Sequence, residues 1–235
     1  MKTIQIKKGL DIPISGLSEQ TIRQGNPVKQ VALIGNDYTG MKPTMLIAEG
    51  DRVICGQHLF SDKKNKGVLF TSPGCGTIVT INRGAKRKFE SLIIELDGDE
   101  SVNFCQPDTI PETQDPEILR KLLIQSGLWP AFRTRPYGKT PTINSTPSSL
   151  FISAVDSAPL AANPQVIING YSREYQAGLK TLRQLLSVPI HYCTGTKTLQ
   201  PSEKLDGIDY WSFRGPHPSG LPSTHIHFID PVHEN

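Results

Sequence analysis

The stretch Gly215 to Phe228, GPHPSGLPSTHIHF, gathers His217, His225 and His227, half of the six histidines in the chain. Imidazoles are good zinc ligands, and three of them with a water would make a catalytic zinc site. On a strand, His225 and His227 would point to the same side. However, no HExxH pair is present, no cysteine lies nearby, and three prolines with two glycines make the stretch a shaped loop. The reading favours histidines that pack and hydrogen-bond. His217, His225 and His227 remain the disfavoured metal set, and no metal is expected.

Lys63 is the second residue with a chemical option. It sits in FSDKKNKG, where biotinyl and lipoyl carrier domains present a modified lysine at a hairpin tip. Met-Lys-Met is missing, and only Asp62-Lys63 matches the acidic-Thr-Asp-Lys-Ala turn of lipoyl domains. Cofactor attachment at Lys63 is therefore disfavoured. Cys55, Cys75, Cys105 and Cys193 form no CxxC pair, and no GxGxxG, Walker or GxSxG segment occurs. No catalytic residue is expected on this chain.

Two charged clusters are left. NRGAKRKF places Arg83, Lys86, Arg87 and Lys88 beside Gly84. As a solvated hairpin the cluster is ordinary; as a function it suits docking to an anionic lipid or an acidic partner. Nucleic acid is disfavoured because no aromatic residues alternate with the charges, and a net charge of +3 is mild. GLWPAFRTRPYGK interleaves Trp129, Phe132 and Tyr137 with Arg133 and Arg135. It reads either as packing at a domain junction or as a surface for a planar ligand or partner.

These clusters need elements to hold them. The first hundred residues carry short β-rich runs (QVALIG, RVIC, QHLF, GVLF, GTIVTI, SLIIEL) separated by glycine turns, which predicts a small barrel. The halves GDxVxxGxxL and PxxGx(I/V) look like a barrel-sandwich hybrid. Residues 105–127 read as a linker and helix, with Asp115 as N-cap, Pro116 at the first helical position and Gly127 as the stop. Residues 128–235 alternate strand and helix: SLFISAV, a helix over 173–186, VPIHYCTGT, GIDYWSF and a strand at THIHFI. That order predicts a parallel, Rossmann-like sheet. The fold class is thus two-domain, α+β overall: a barrel-sandwich hybrid over 1–104, then an α/β domain. No apolar run is long enough to span a bilayer, so a cytosolic chain with at most a peripheral membrane role is expected.

Several longer segments together, in order and from end to end, resemble one family. They are VALIGxxYxGMxPTM from Val31, LFxDKKNxGVxF from Leu59, INRGAKR, SGLWxAxRTRP from Ser126, DSAPLAANPQ and GPHPSGLxxTHxHF. They are similar to the A subunit of the Na+-translocating NADH:quinone reductases and, more distantly, to the C subunit of Rnf complexes. The resemblance implies a peripheral protein on the cytoplasmic side of a six-subunit membrane pump that oxidises NADH, reduces ubiquinone or menaquinone and exports Na+. It implies that FAD, FMN, riboflavin and iron–sulfur centres sit on other subunits. It leaves this chain no cofactor of its own except an option on quinone, and it docks the chain on the membrane-embedded B subunit of the pump. Family chains are longer, continuing into a β-grasp and a helical domain, so a fragment is expected here.

Overall fold

The structure, a computed structural model, describes residues 1–16, 18–104, 115–195 and 204–233. In chain order the strands are β1 (Lys2–Gln5), β2 (Gln30–Ile34), β3 (Pro43–Met45), β4 (Arg52–Val53), β5 (His58–Asp62), β6 (Leu69–Thr71), β7 (Gly76–Arg83), β8 (Phe89–Leu96), β9 (Leu150–Ala154), β10 (Ile190–Gly195) and β11 (Ile208–Arg214). The helices are α1 (Pro116–Gln125), α2 (Pro164–Gly170), α3 (Ser172–Leu185) and α4 (Pro222–Ile229). Contacts divide the chain into two compact units, Gly25–Ser145 and a discontinuous one of Met1–Gln24 with Thr146–Asn235.

The first unit holds two antiparallel sheets, β2-β8-β7-β4 and β3-β5-β6. Apart from β7 and β8 its strands are short, broken by frequent turns. Their inward residues (Val53, Leu59, Phe60, Val68, Ile78, Leu92 and Ile94, with others) form one core. Phe60 stacks on Phe70 and meets Phe89 edge-on, which fills a small interior with rings. Helix α1 has the ends its sequence predicts. Asp115 accepts the Glu117 N–H at 2.8 Å, Pro116 opens the helix, and Gly127 leaves it at φ 74. A β-carbon at position 127 would also collide with Thr71 Oγ1, so the stop needs glycine twice over.

The second unit is a parallel sheet in the order β1-β11-β10-β9. Strand β10 is buried along nearly its whole length, as a central parallel strand should be. Helix α3 and the sheet enclose Leu179, Ile190, Tyr192 and Ile208. Tyr175 donates to the Tyr192 oxygen at 2.9 Å, and burial pushes the Tyr192 phenol far above its ordinary range.

Three features differ from the sequence reading. The N-terminal residues do not join the barrel: β1 pairs with β11, Lys2 opposite Trp211 through Gln5 opposite Arg214. The alternation in TIQI is that of an edge strand of the α/β sheet. The division at 104 is thus not the grouping seen in the contacts, and most of the linker read between Cys105 and Glu117 lies outside the described residues. The THIHFI segment is helix α4 and not a strand; Pro222 starts it, and six apolar-rich residues suit either state until packing decides. Helix α2 is additional, with Asn163 accepting the Gln165 N–H at 3.1 Å and Pro164 at its first position.

Deleting residues 1–8 should uncover the edge of β11 and leave the barrel intact. Amide hydrogen exchange should speed up in Ile208–Arg214 and stay unchanged in β7 and β8.

Candidate functional site

The hairpin β7–β8 closes with Arg83 opposite Phe89. Its turn is built from Ala85, Lys86, Arg87 and Lys88, with the Lys88 N–H on the Ala85 carbonyl at 3.2 Å. Lys86 and Arg87 both take left-handed backbone, φ 54 and φ 60. Those angles suit the right-handed twist of a hairpin, but they favour Asn-Gly over long side chains.

The loop from Gly35 to Lys42 stands against this hairpin. A β-carbon on Gly35 would collide with the Phe89 carbonyl oxygen, so glycine alone permits the approach. The far end of the loop is tied by Asp62, the last residue of β5 and only 7% exposed. Its Oδ1 accepts the Lys42 N–H at 3.1 Å and the Lys64 N–H at 2.9 Å, while the Lys63 N–H reaches the Lys42 carbonyl at 2.8 Å. Between loop and hairpin lies a cleft of about 460 Å³. Arg83, Lys86, Arg87 and Lys88 line it from the hairpin, and Lys42 and Lys64 from the other side. Lys88 Nζ donates to Asn36 Oδ1 at 2.7 Å. No Asp or Glu is in the lining, and among the described residues none of the six cations forms an ion pair.

The aromatic–arginine segment is split by the fold. Trp129 is buried at 3% exposure, its Nε1 donates to the Pro141 carbonyl, and Phe132 packs edge-on against it. Both rings therefore belong to the barrel core and its rim. Arg133 clamps the loop: its guanidinium donates to the Pro130, Phe132 and Asp37 carbonyls and lies 5.4 Å from the Tyr38 ring centre. Burial raises the Tyr38 phenol above its ordinary value, and Arg133 pulls it the other way. Arg135 and Tyr137 are exposed, with Lys139 Nζ 5.6 Å over the Tyr137 ring. Lys139 also lies beside Gly40 in the cleft wall. Two clusters that are far apart in sequence thus meet on one loop. The sequence reading missed Lys42, Lys64, Asn36 and Tyr38, although Lys42 sits inside GMKPTM and Lys64 inside LFxDKKN.

The histidines do not converge. His217 Nδ1 meets Ser157 Oγ at 3.0 Å, and the His217 backbone N–H donates to Asp11 Oδ1. His225 is fully buried against Phe213, with Nε2 on the Ser219 carbonyl at 2.9 Å, and burial holds its pKa low. His227 is exposed beside Phe228. On a helix, residues two apart point to opposing sides, which separates His225 from His227. Among the described residues no group of His, Cys, Asp and Glu is placed to hold a metal. Lys63 is exposed, on the loop after β5.

Two family models match the chain. One describes the NqrA N-terminal barrel-sandwich hybrid domain, over residues 4–97, and the other the NqrA second alpha/beta domain, over residues 114–235. Curated relatives that bear the name of the A subunit of Na(+)-translocating NADH-quinone reductase are similar throughout. One from Pseudomonas aeruginosa PAO1 is 51% identical over 230 residues, covering 97% of this chain and 51% of the relative. One from Rhodopirellula baltica is 48% identical over 235 residues, covering 98% and 51%. One from Haemophilus influenzae Rd is 48% identical over 231 residues, covering 97% and 52%. The chain spans about half the length of these relatives.

Arg133→Ala should cost about 1–2 kcal/mol in urea unfolding through its lost carbonyl contacts, and Lys at that position should not restore it. Loss of the cation should also move the Tyr38 titration further up in a phenolate absorbance measurement.

Proposed function

This chain belongs to the family of A subunits of the Na+-translocating NADH-quinone reductases, and we propose that it serves as a peripheral, non-catalytic part of such a complex. Such a complex oxidises NADH, reduces ubiquinone or menaquinone and exports Na+. FAD, FMN, riboflavin and iron–sulfur centres lie on other subunits, and this chain docks on the membrane-embedded B subunit from the cytoplasmic side. Among the described residues no helix is long and apolar enough to cross a membrane. The carboxyl ends of the parallel sheet, where a nucleotide would sit in a related fold, carry no glycine-rich phosphate loop in the sequence.

The observation that carries the docking role is the group of unpaired cations at the cleft. A surface that collects six positive side chains without a carboxylate among them repels itself, and it gains when an acidic surface covers it. Arg83, Lys86, Arg87 and Lys88 are the docking residues. The exposed pair Arg135 and Tyr137, which follow in sequence the Arg133 that ties to the same loop, is the neighbouring contact for quinone or a partner. Trp129 and Phe132 support it from within.

The test uses the full-length protein in its membrane complex. Lys86→Glu with Arg87→Glu should lower the share of it that co-purifies with the other subunits, more so at raised salt. NADH:quinone activity per assembled complex should stay unchanged. Assembly equal to wild type at every salt concentration would sink the docking role.

A further inference from the structure

We infer that the cleft between the Gly35–Lys42 loop and the β7–β8 hairpin is a binding site for a phosphate group, of the kind borne by a phosphomonoester, a diphosphate or a phospholipid headgroup. Shape is the first argument. A concavity of about 460 Å³ has the size of a small-molecule pocket, so a small anion can enter between cations that a partner surface would only cover. Its cations approach from opposite walls: Arg83, Lys86, Arg87 and Lys88 on one, Lys42 and Lys64 on the other. An anion between the walls would meet cations on two sides.

The acids nearby do not neutralise these cations. Asp62 is committed to the Lys42 and Lys64 backbone N–H groups. Glu90 folds over Gly84 and forms no ion pair with the six. Lys88 is held by the neutral Asn36 amide, which fixes its position without cancelling its charge. Arginine forks and lysine ammoniums set around one cavity are the donor set that phosphate oxygens take.

The second, independent argument is the backbone. The two central turn residues are left-handed, and both carry long cationic side chains. Asparagine and glycine would sit there with less strain. Strain of this kind persists where the side chain serves a function. Here it places two cationic residues in the cleft lining at the tip of the hairpin.

The inference does not depend on docking. A chain that binds phosphate yet fails to assemble would leave it standing while overturning the docking role. The experiment titrates the purified chain with inorganic pyrophosphate by calorimetry, with sulfate at matched ionic strength as the control. A parallel arm measures flotation with phosphatidylcholine vesicles, with and without phosphatidylglycerol. Two variants accompany wild type: Lys86→Asn with Arg87→Gly, which relaxes the turn, and Lys42→Gln with Lys64→Gln, which leaves the turn alone. Expected are saturable pyrophosphate binding beyond that of sulfate, and a loss of about tenfold or more in each variant. The relaxed-turn variant should resist urea at least as well as wild type. Vesicle binding that pyrophosphate competes away would identify a headgroup as the source; pyrophosphate binding with no preference for phosphatidylglycerol would identify a soluble phosphate. Absence of saturable binding in both arms, or binding that both variants retain, would overturn the inference.

Discussion

A single buried carboxylate organises the surface of the barrel. Asp62 ends β5 and faces inward, where an unpartnered charge would be costly. It is satisfied by backbone N–H groups and not by a cation: Lys42 from the loop before β3 and Lys64 from the turn after β5. Those two bonds fix the direction in which the Lys42 and Lys64 side chains leave the barrel. With the far end of the loop held there, Gly35 can bring the near end against Phe89, and Arg133 can fasten the middle through Asp37 and Tyr38. The cleft exists because these three ties act on one short segment.

How much of this was legible in the sequence depends on the range of the interaction. Local signals read well. The Asp115–Pro116 start and Gly127 stop of α1, the strands β9, β10 and β11, and the glycine-punctuated barrel all rest on a few adjacent residues. Signals that need a distant partner did not. Asp62-Lys63 offered only a fragment of a carrier turn, and the role of Asp62 emerges only once Lys42 lies beside it. Trp129 and Phe132 read equally as packing and as a ligand surface, because nothing local tells a ring in a core from a ring on a surface. The basic hairpin was visible as a charge run, but Lys42 and Lys64 join it only through folding. His225 and His227 were placed on a strand by local β preference, whereas the segment is helix α4, opened by Pro222, with His225 packed on Phe213.

The barrel separates stability from charge in a way that suits a docking or binding module. Among the described residues, its core of Phe60, Phe70, Leu92 and their neighbours holds no acidic or basic side chain apart from Asp62 at its edge. The cations stand on a hairpin and loops that the core supports but does not need. Such a surface can change its charges with little effect on the fold, since exposed substitutions away from special backbone positions are nearly neutral. The exceptions are Lys86 and Arg87, where the backbone itself is strained.

The pairing of β1 with β11 bears on how the chain acquires its structure during synthesis. Lys2 lies opposite Trp211, so β1 leaves a ribosome long before its partner strand and must wait for it before it finds its place. Every contact grouped within Gly25–Ser145 is available much earlier. The barrel can therefore form while the α/β sheet is still an open edge flanked by an unpaired N-terminal arm. Contacts so distant in sequence close slowly, and during that interval the exposed edge is the part of the nascent protein most open to a chaperone or to a wrong neighbour.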